Sequence, residues 1–181
     1  FAAHLPAPVF VARAQESNDA IAVRVMQNTE HLSSLAWYRA KVPAERQGSP
    51  AQMSVDGYPA VRDGRSVYVN AGNVSNNTLY TNMHILSHTQ NADSDTVDIF
   101  GQLLKNWTFN VNLLKGGNEG PGPGECAERA TGQVSDDANA CYTDSQCGNG
   151  QYCNSAKDQV TRDVIRQGHK AELNALLQKY K

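Results

Sequence analysis

The chain has 181 residues, 40% of them hydrophobic and 19% charged, and a formal charge of -2. That length suits one ordinary core plus an appendage. The near-neutral balance carries no global basic footprint for nucleic acid. No stretch reaches the roughly 18 apolar residues that a membrane span needs.

Residues 1–18 contain two prolines and no clean period. They are read as an N-terminal arm. Within it, Pro8-Val-Phe-Val-Ala12 has strand character, and Val9, Phe10 and Val11 are the candidates for docking on a neighbour. Phe1 is followed by Ala-Ala-His-Leu-Pro, not by a basic start and an apolar run, so no signal peptide is visible. An oxidised set of cysteines would imply a leader removed before Phe1.

Alternation over Ala20–Met26 predicts a strand. Thr29–Lys41 follows helical spacing at Leu32, Leu35, Ala36 and Arg39, and Pro43 stops it. Residues 44–52 are a loop. Met53–Arg62 and Arg65–Ala71 flank Asp63-Gly64, which predicts a hairpin with a type I′ turn. Val67 and Val69 point one way, Tyr68 and Asn70 the other. Asn77–Thr89 is the next strand. Leu79, Thr81, Met83 and Ile85 lie on one of its faces; Tyr80, Asn82, His84, Leu86 and His88 lie on the other. Asp93-Ser-Asp-Thr opens a helix over Thr96–Asn106, its acids suited to the positive end of the helix dipole. Its apolar stripe is Val97, Phe100, Leu103, Leu104 and Trp107.

Strand, helix, three antiparallel strands, helix predicts an α+β domain over residues 19–114, a small antiparallel sheet covered by helices. Residues 115–157 form a linker, Gly116–Gly124, followed by a disulfide-rich segment. Residues 158–181 read as a C-terminal amphipathic helix with Ile165, His169, Leu173, Leu176, Leu177 and Tyr180 on its apolar side. The charge is uneven. Six acids and one Arg fall between Asn118 and Asp144, and six bases and three acids between Lys157 and Lys181. A solvated helix face explains the second group; steering of a partner is the alternative.

All four cysteines, Cys126, Cys141, Cys147 and Cys153, lie in one polar segment. That segment has little to bury, so bridges must hold its shape, and bridges place the chain outside the reducing cytosol. Zinc is disfavoured, because the spacings are not Cys-x2–4-Cys and no His intervenes. Four cysteines allow three pairings. The reading leans to Cys126–Cys147 with Cys141–Cys153, which interleave and cross-link most tightly.

Other constellations are weaker. Asn91, Asp93, Asp95 and Asp98 faintly resemble a calcium loop, but Thr96 stands where Gly is needed and Gln102 where Glu is needed. His84 and His88 share a strand face, well over 10 Å apart at roughly 3.3 Å per residue. Asn73-Val-Ser, Asn76-Asn-Thr and Asn106-Trp-Thr are possible glycan acceptors. No nucleophile, zincin, Walker or dinucleotide motif occurs. No catalytic residue, metal or cofactor is expected.

Two resemblances follow. Val55–Ala71, continuing through Leu79-Tyr-Thr-Asn to Ile99-Phe-Gly-Gln-Leu-Leu-Lys-Asn-Trp-Thr-Phe109, resembles secreted proteins of uncultivated ultrasmall bacteria. In these a hairpin, a strand and a terminal helix close a small α+β module. The terminal helix also resembles PsbP/Mog1-like domains. This likeness covers about residues 20–112 and implies no catalytic residues. Thr161–Tyr180 is similar to the segment just after the membrane helix of type IV pilins and pseudopilins, in which Arg-Asp-x-x-Arg opens a stretch that ends in Ala-Leu-x-x-Tyr; here the two ends read Arg162-Asp-Val-Ile-Arg166 and Ala175-Leu-Leu-Gln-Lys-Tyr180.

The expected function is a non-enzymatic, extracellular or cell-surface structural protein of a bacterium, a filament or surface subunit whose partner is itself. Its assembly residues would be the arm and Ile165, Leu173, Leu176, Leu177 and Tyr180. The alternatives are a monomeric PsbP-like envelope domain holding a ligand or partner between sheet and helix, and a secreted hydrolase.

Overall fold

The computed structural model describes residues 19–75, 78–109, 124–134, 140–141 and 144–180. The arm residues Val9, Phe10 and Val11, the acceptor Asn76, and the linker before Gly124 lie outside the described residues. The architecture is α+β, as the pattern predicts. Strands β1 (Ile21–Gln27), β2 (Ala51–Val55), β3 (Tyr58–Asp63), β4 (Ser66–Ser75) and β5 (Thr78–His88) form one antiparallel sheet in the order β1-β5-β4-β3-β2. Helices α1 (Ser34–Lys41) and α2 (Ser94–Asn106) accompany it. A second sheet, in the order β7-β6-β8, is built from β6 (Gly124–Glu128), β7 (Ala140–Cys141) and β8 (Gln151–Asn154), and α3 (Ala156–Gln178) follows.

Strand alternation sorts the core. Register places Val67 beside Leu86 and Val69 beside both His84 and Ala60. Ala60, Val67, Val69 and Leu86 join Val55 and Tyr58, and Phe100 and Leu104 of α2, in the main core. On the other face Tyr68 and Met83 pack with Trp37 and Tyr38 of α1. Each fully buried side chain of this size stabilises the fold by about 1.5–3 kcal/mol relative to exposure.

α3 lies against β4, and its Val160 and Val164 belong to the main core. Gly72 makes that approach possible, since a Cβ there would stand 2.4 Å from Val164 Cγ2. α3 begins at a capping box, with Asp158 N–H donating to Ser155 Oγ and Ser155 N–H to the Asp158 carboxylate.

Several elements differ from the sequence reading. The first helix starts at Ser34, not Thr29, because Ser33 caps it by accepting from Ala36 N–H and His31 sits at φ 52. Residues 53–62 are not one strand. Asp56 and Gly57, at φ 51 and 82, turn the chain between β2 and β3. The Asp63-Gly64 hairpin also shifts by one residue. Asp63 pairs with Ser66, so Gly64 and Arg65 are central, and only Gly64 has positive φ, at 53. Glycine at the first central position belongs to the II′ class rather than I′. The second helix starts at Ser94, not Thr96, because Asp93 caps it by accepting from Thr96 N–H. Gly124, read as linker, opens β6.

Candidate assembly surfaces

The proximal half of α3 is fastened to the body at several points. Lys157 forms a half-buried ion pair with Asp56 in the β2–β3 turn. Asp56 also accepts from Phe109 N–H at 2.6 Å. Arg162 donates to the Asn154 side chain and lies 5.4 Å from the Tyr152 ring centroid. A Cβ on Gly168 would meet Ser33 at 3.3 Å, and Ser33 Oγ donates to Glu172. Burial pushes the nearby Tyr58 phenol up to about 12, and the Thr161 hydroxyl beside it acts in the opposite direction.

Beyond Ala171 this changes. Every residue from Glu172 to Tyr180 is exposed. Leu173, Leu176, Leu177 and Tyr180 form one stripe at i, i+3, i+4 and i+7, between 53% and 89% exposed. Ile165 is exposed as well. The apolar side predicted for this helix is therefore not the one that meets the sheet. Val160, Val164 and Gly168 are buried instead. Their spacing of four was present in the sequence, hidden by the more conspicuous leucines.

The disulfide segment holds both bridges of the interleaved pairing, Cys126–Cys147 and Cys141–Cys153, and no described cysteine is free. The sulfurs of Cys126, Cys141 and Cys147 lie within 4.8 Å of one another because the two bridges are adjacent. Asp144 accepts from Cys153 N–H at 3.0 Å and from Arg129 at 2.5 Å. The Cys153 amide first and Arg129 second hold its carboxyl below the usual range. Two bridges mean a non-reducing environment, and no helix among the described residues is long and apolar enough to cross a membrane.

An open groove of about 1420 Å³ runs beside α1 along the sheet face that carries Tyr68. Arg24, Lys41, Arg46 and Arg65 line it, against Glu45 and Asp63. Asp63 is occupied by the Tyr38 hydroxyl and Gly48 N–H, and Lys41 pairs with Glu30. The sequence reading missed this groove, because its bases come from β1, α1, the Ala44–Arg46 turn and the β3–β4 turn.

The other polar candidates make local contacts. Asp93 caps α2. His88 meets Phe100 and His84 meets Phe109 edge to face, with ring centroids 5.1 and 4.9 Å apart. Asn73 and Asn106 are both exposed; Asn73 Oδ1 accepts from Val74 N–H, and Asn106 donates to Gln102 O. No family model, curated protein or solved structure matches the chain.

Proposed function

We propose that this protein is a non-catalytic structural subunit, working outside the reducing cytosol, that assembles with copies of itself into a filament or surface layer. The exposed stripe of Leu173, Leu176, Leu177 and Tyr180 carries the reading. Four large apolar side chains at helical spacing on an unpacked helix end form the seam of a two-helix contact. The fastened proximal half of α3 gives that end a rigid base.

The test is light scattering and negative-stain microscopy of the oxidised chain beside the Leu173→Lys/Leu177→Lys variant. Both positions are exposed, so circular dichroism should not change. Assembly of the parent that the variant loses or shortens supports the proposal. A parent that stays monomeric at every concentration overturns it. A second reading, a monomeric envelope domain that binds a ligand, draws on the basic groove. It is favoured instead if that monomer takes up a polyanion through Arg24 and Arg46.

A further inference from the structure

The sheet has two edges, and they are unlike. β2 is five residues long and follows Pro50. β1 is seven residues, Ile-Ala-Val-Arg-Val-Met-Gln, with one charge, no proline and no glycine. Exposed edges are usually blunted by lysines, prolines, bulges or a covering element. Among the described residues no strand pairs with the outer side of β1.

Backbone parity says which groups face outward. Thr89 N–H donates to Ala20 O, and Asn28 N–H donates to Thr81 O, both at 3.0 Å. The even-numbered residues from 20 to 28 therefore bond toward β5, and Ile21, Val23, Val25 and Gln27 aim their N–H and C=O groups away from the sheet. Val23 and Val25 are also 45% and 55% exposed. Backbone groups with no strand partner among the described residues and exposed apolar residues coincide at the same two positions.

We infer that β1 is a strand-addition site whose occupant is β1 of a second copy, paired antiparallel about a two-fold axis at Val23. Three symmetric registers keep at least five of residues 21–27 paired. Centring on Arg24 sets two guanidinium groups directly opposite, which is destabilising. Centring on Val25 sets Val23 against Gln27. Centring on Val23 sets Val23 against Val23 and Ile21 against Val25 on one face, and Arg24 against Ala22 on the other. Only this last register matches apolar with apolar and separates the charges.

The inference extends the self-assembly proposed above and does not need the α3 stripe. Its consequence is geometric. One two-fold contact closes at a dimer, whereas two different two-fold contacts on one body close into a dihedral ring where their axes meet and grow into an open filament where the axes do not.

The experiment is cysteine cross-linking. In the Val23 register the two Val23 Cα atoms stand about 5.5 Å apart as a hydrogen-bonded pair, inside the range of a disulfide. The two Val25 positions are offset by four residues, more than 10 Å at roughly 3.4 Å per residue. Under mild oxidation, Val23→Cys should therefore give a peptide dimer bridged between the two copies of the substituted position. Its yield should be at least tenfold above that of the corresponding dimer from Val25→Cys. Absence of that bridged peptide from a folded Val23→Cys protein, or equal cross-linking at the two positions, overturns the inference. As a second measurement, Val23→Lys/Val25→Lys should remove one assembly step in light scattering and leave the step sensitive to Leu173 and Leu177. Unchanged assembly of this variant overturns the inference and leaves the α3 reading standing.

Discussion

Val164 of α3 rests where Gly72 of β4 has no side chain, its Cγ2 2.4 Å from where a Cβ would be. The helix is seated on bare strand backbone. Gly72→Ala should destabilise the fold by about 1–3 kcal/mol through overpacking. Val164→Ala opens space and carries its own cost, so the double variant should be less destabilised than the sum of the two singles. Urea midpoints of the four proteins check this.

Asn28 and Asn70, 2% and 1% exposed, form a buried amide pair. Asn28 Nδ2 donates to Asn70 Oδ1 at 3.1 Å and to Leu32 O at 2.8 Å, and Asn70 Nδ2 donates to Leu32 O at 3.1 Å. The pair ties the turn before α1 to the centre of the sheet. Asn70→Ala leaves buried polar groups with fewer partners and should cost about 1–3 kcal/mol. Chemical denaturation with unchanged slope would identify the loss as one of native stability.

His84 predicts a pH dependence. Burial pushes its imidazole below the ordinary value of 6.5, and the Asn82 backbone acts weakly in the opposite direction. A depressed folded value means that the unfolded chain binds the proton more readily. Stability is then full above pH 6.5 and is lost as pH falls through the folded value. His84→Gln should flatten the difference in thermal midpoint between pH 7.5 and pH 5.

The bridges make a separable prediction. Peptide mapping of the oxidised protein should return Cys126–Cys147 and Cys141–Cys153 and no third pairing. Each bridge contributes about 2–4 kcal/mol by constraining the unfolded chain. Reduction should expose the amides of residues 124–154 to hydrogen exchange, and the β1–β5 sheet, with its own core, should keep its protection.

The strand faces were legible because period two leaves no ambiguity once one side is buried. Val67 and Val69 against Tyr68 and Asn70, and β5 from Met83 to Leu86, fall as alternation requires; Leu79, read on the Met83 side, packs instead on the main core beside α3. Helix ends were less legible, since Ser33 and Asp93 cap one or more residues away from where apolar spacing begins or ends. Asp56-Gly57 is the same dipeptide as Asp63-Gly64, yet the run from Met53 to Arg62 read as a single strand because Val55, Tyr58 and Val61 kept it apolar. The surfaces were hardest to see. The exposure of Val23 and Val25 follows from β1 being an edge, and strand order is a property of long-range pairing that no local window contains. The helix face that meets the sheet was misread because the sequence shows how apolar a stripe is, not whether anything faces it.

The placement of the bridges also bears on how the molecule would carry tension. A pull on the far end of α3 is met first by the seat of Val160 and Val164 on the sheet and by the Lys157–Asp56 pair; past that seat it reaches Ser155, and Cys153 lies two residues before it. From there the load passes through a covalent bond to Cys141 in β7 rather than through the hydrogen bonds of β8 alone. The residues between Cys141 and Cys153 are locked in a closed loop and cannot be drawn out as slack. A chain of such subunits pulled through its helices would load the seat of α3 on β4 first and would reach the bridges only after that seat had opened.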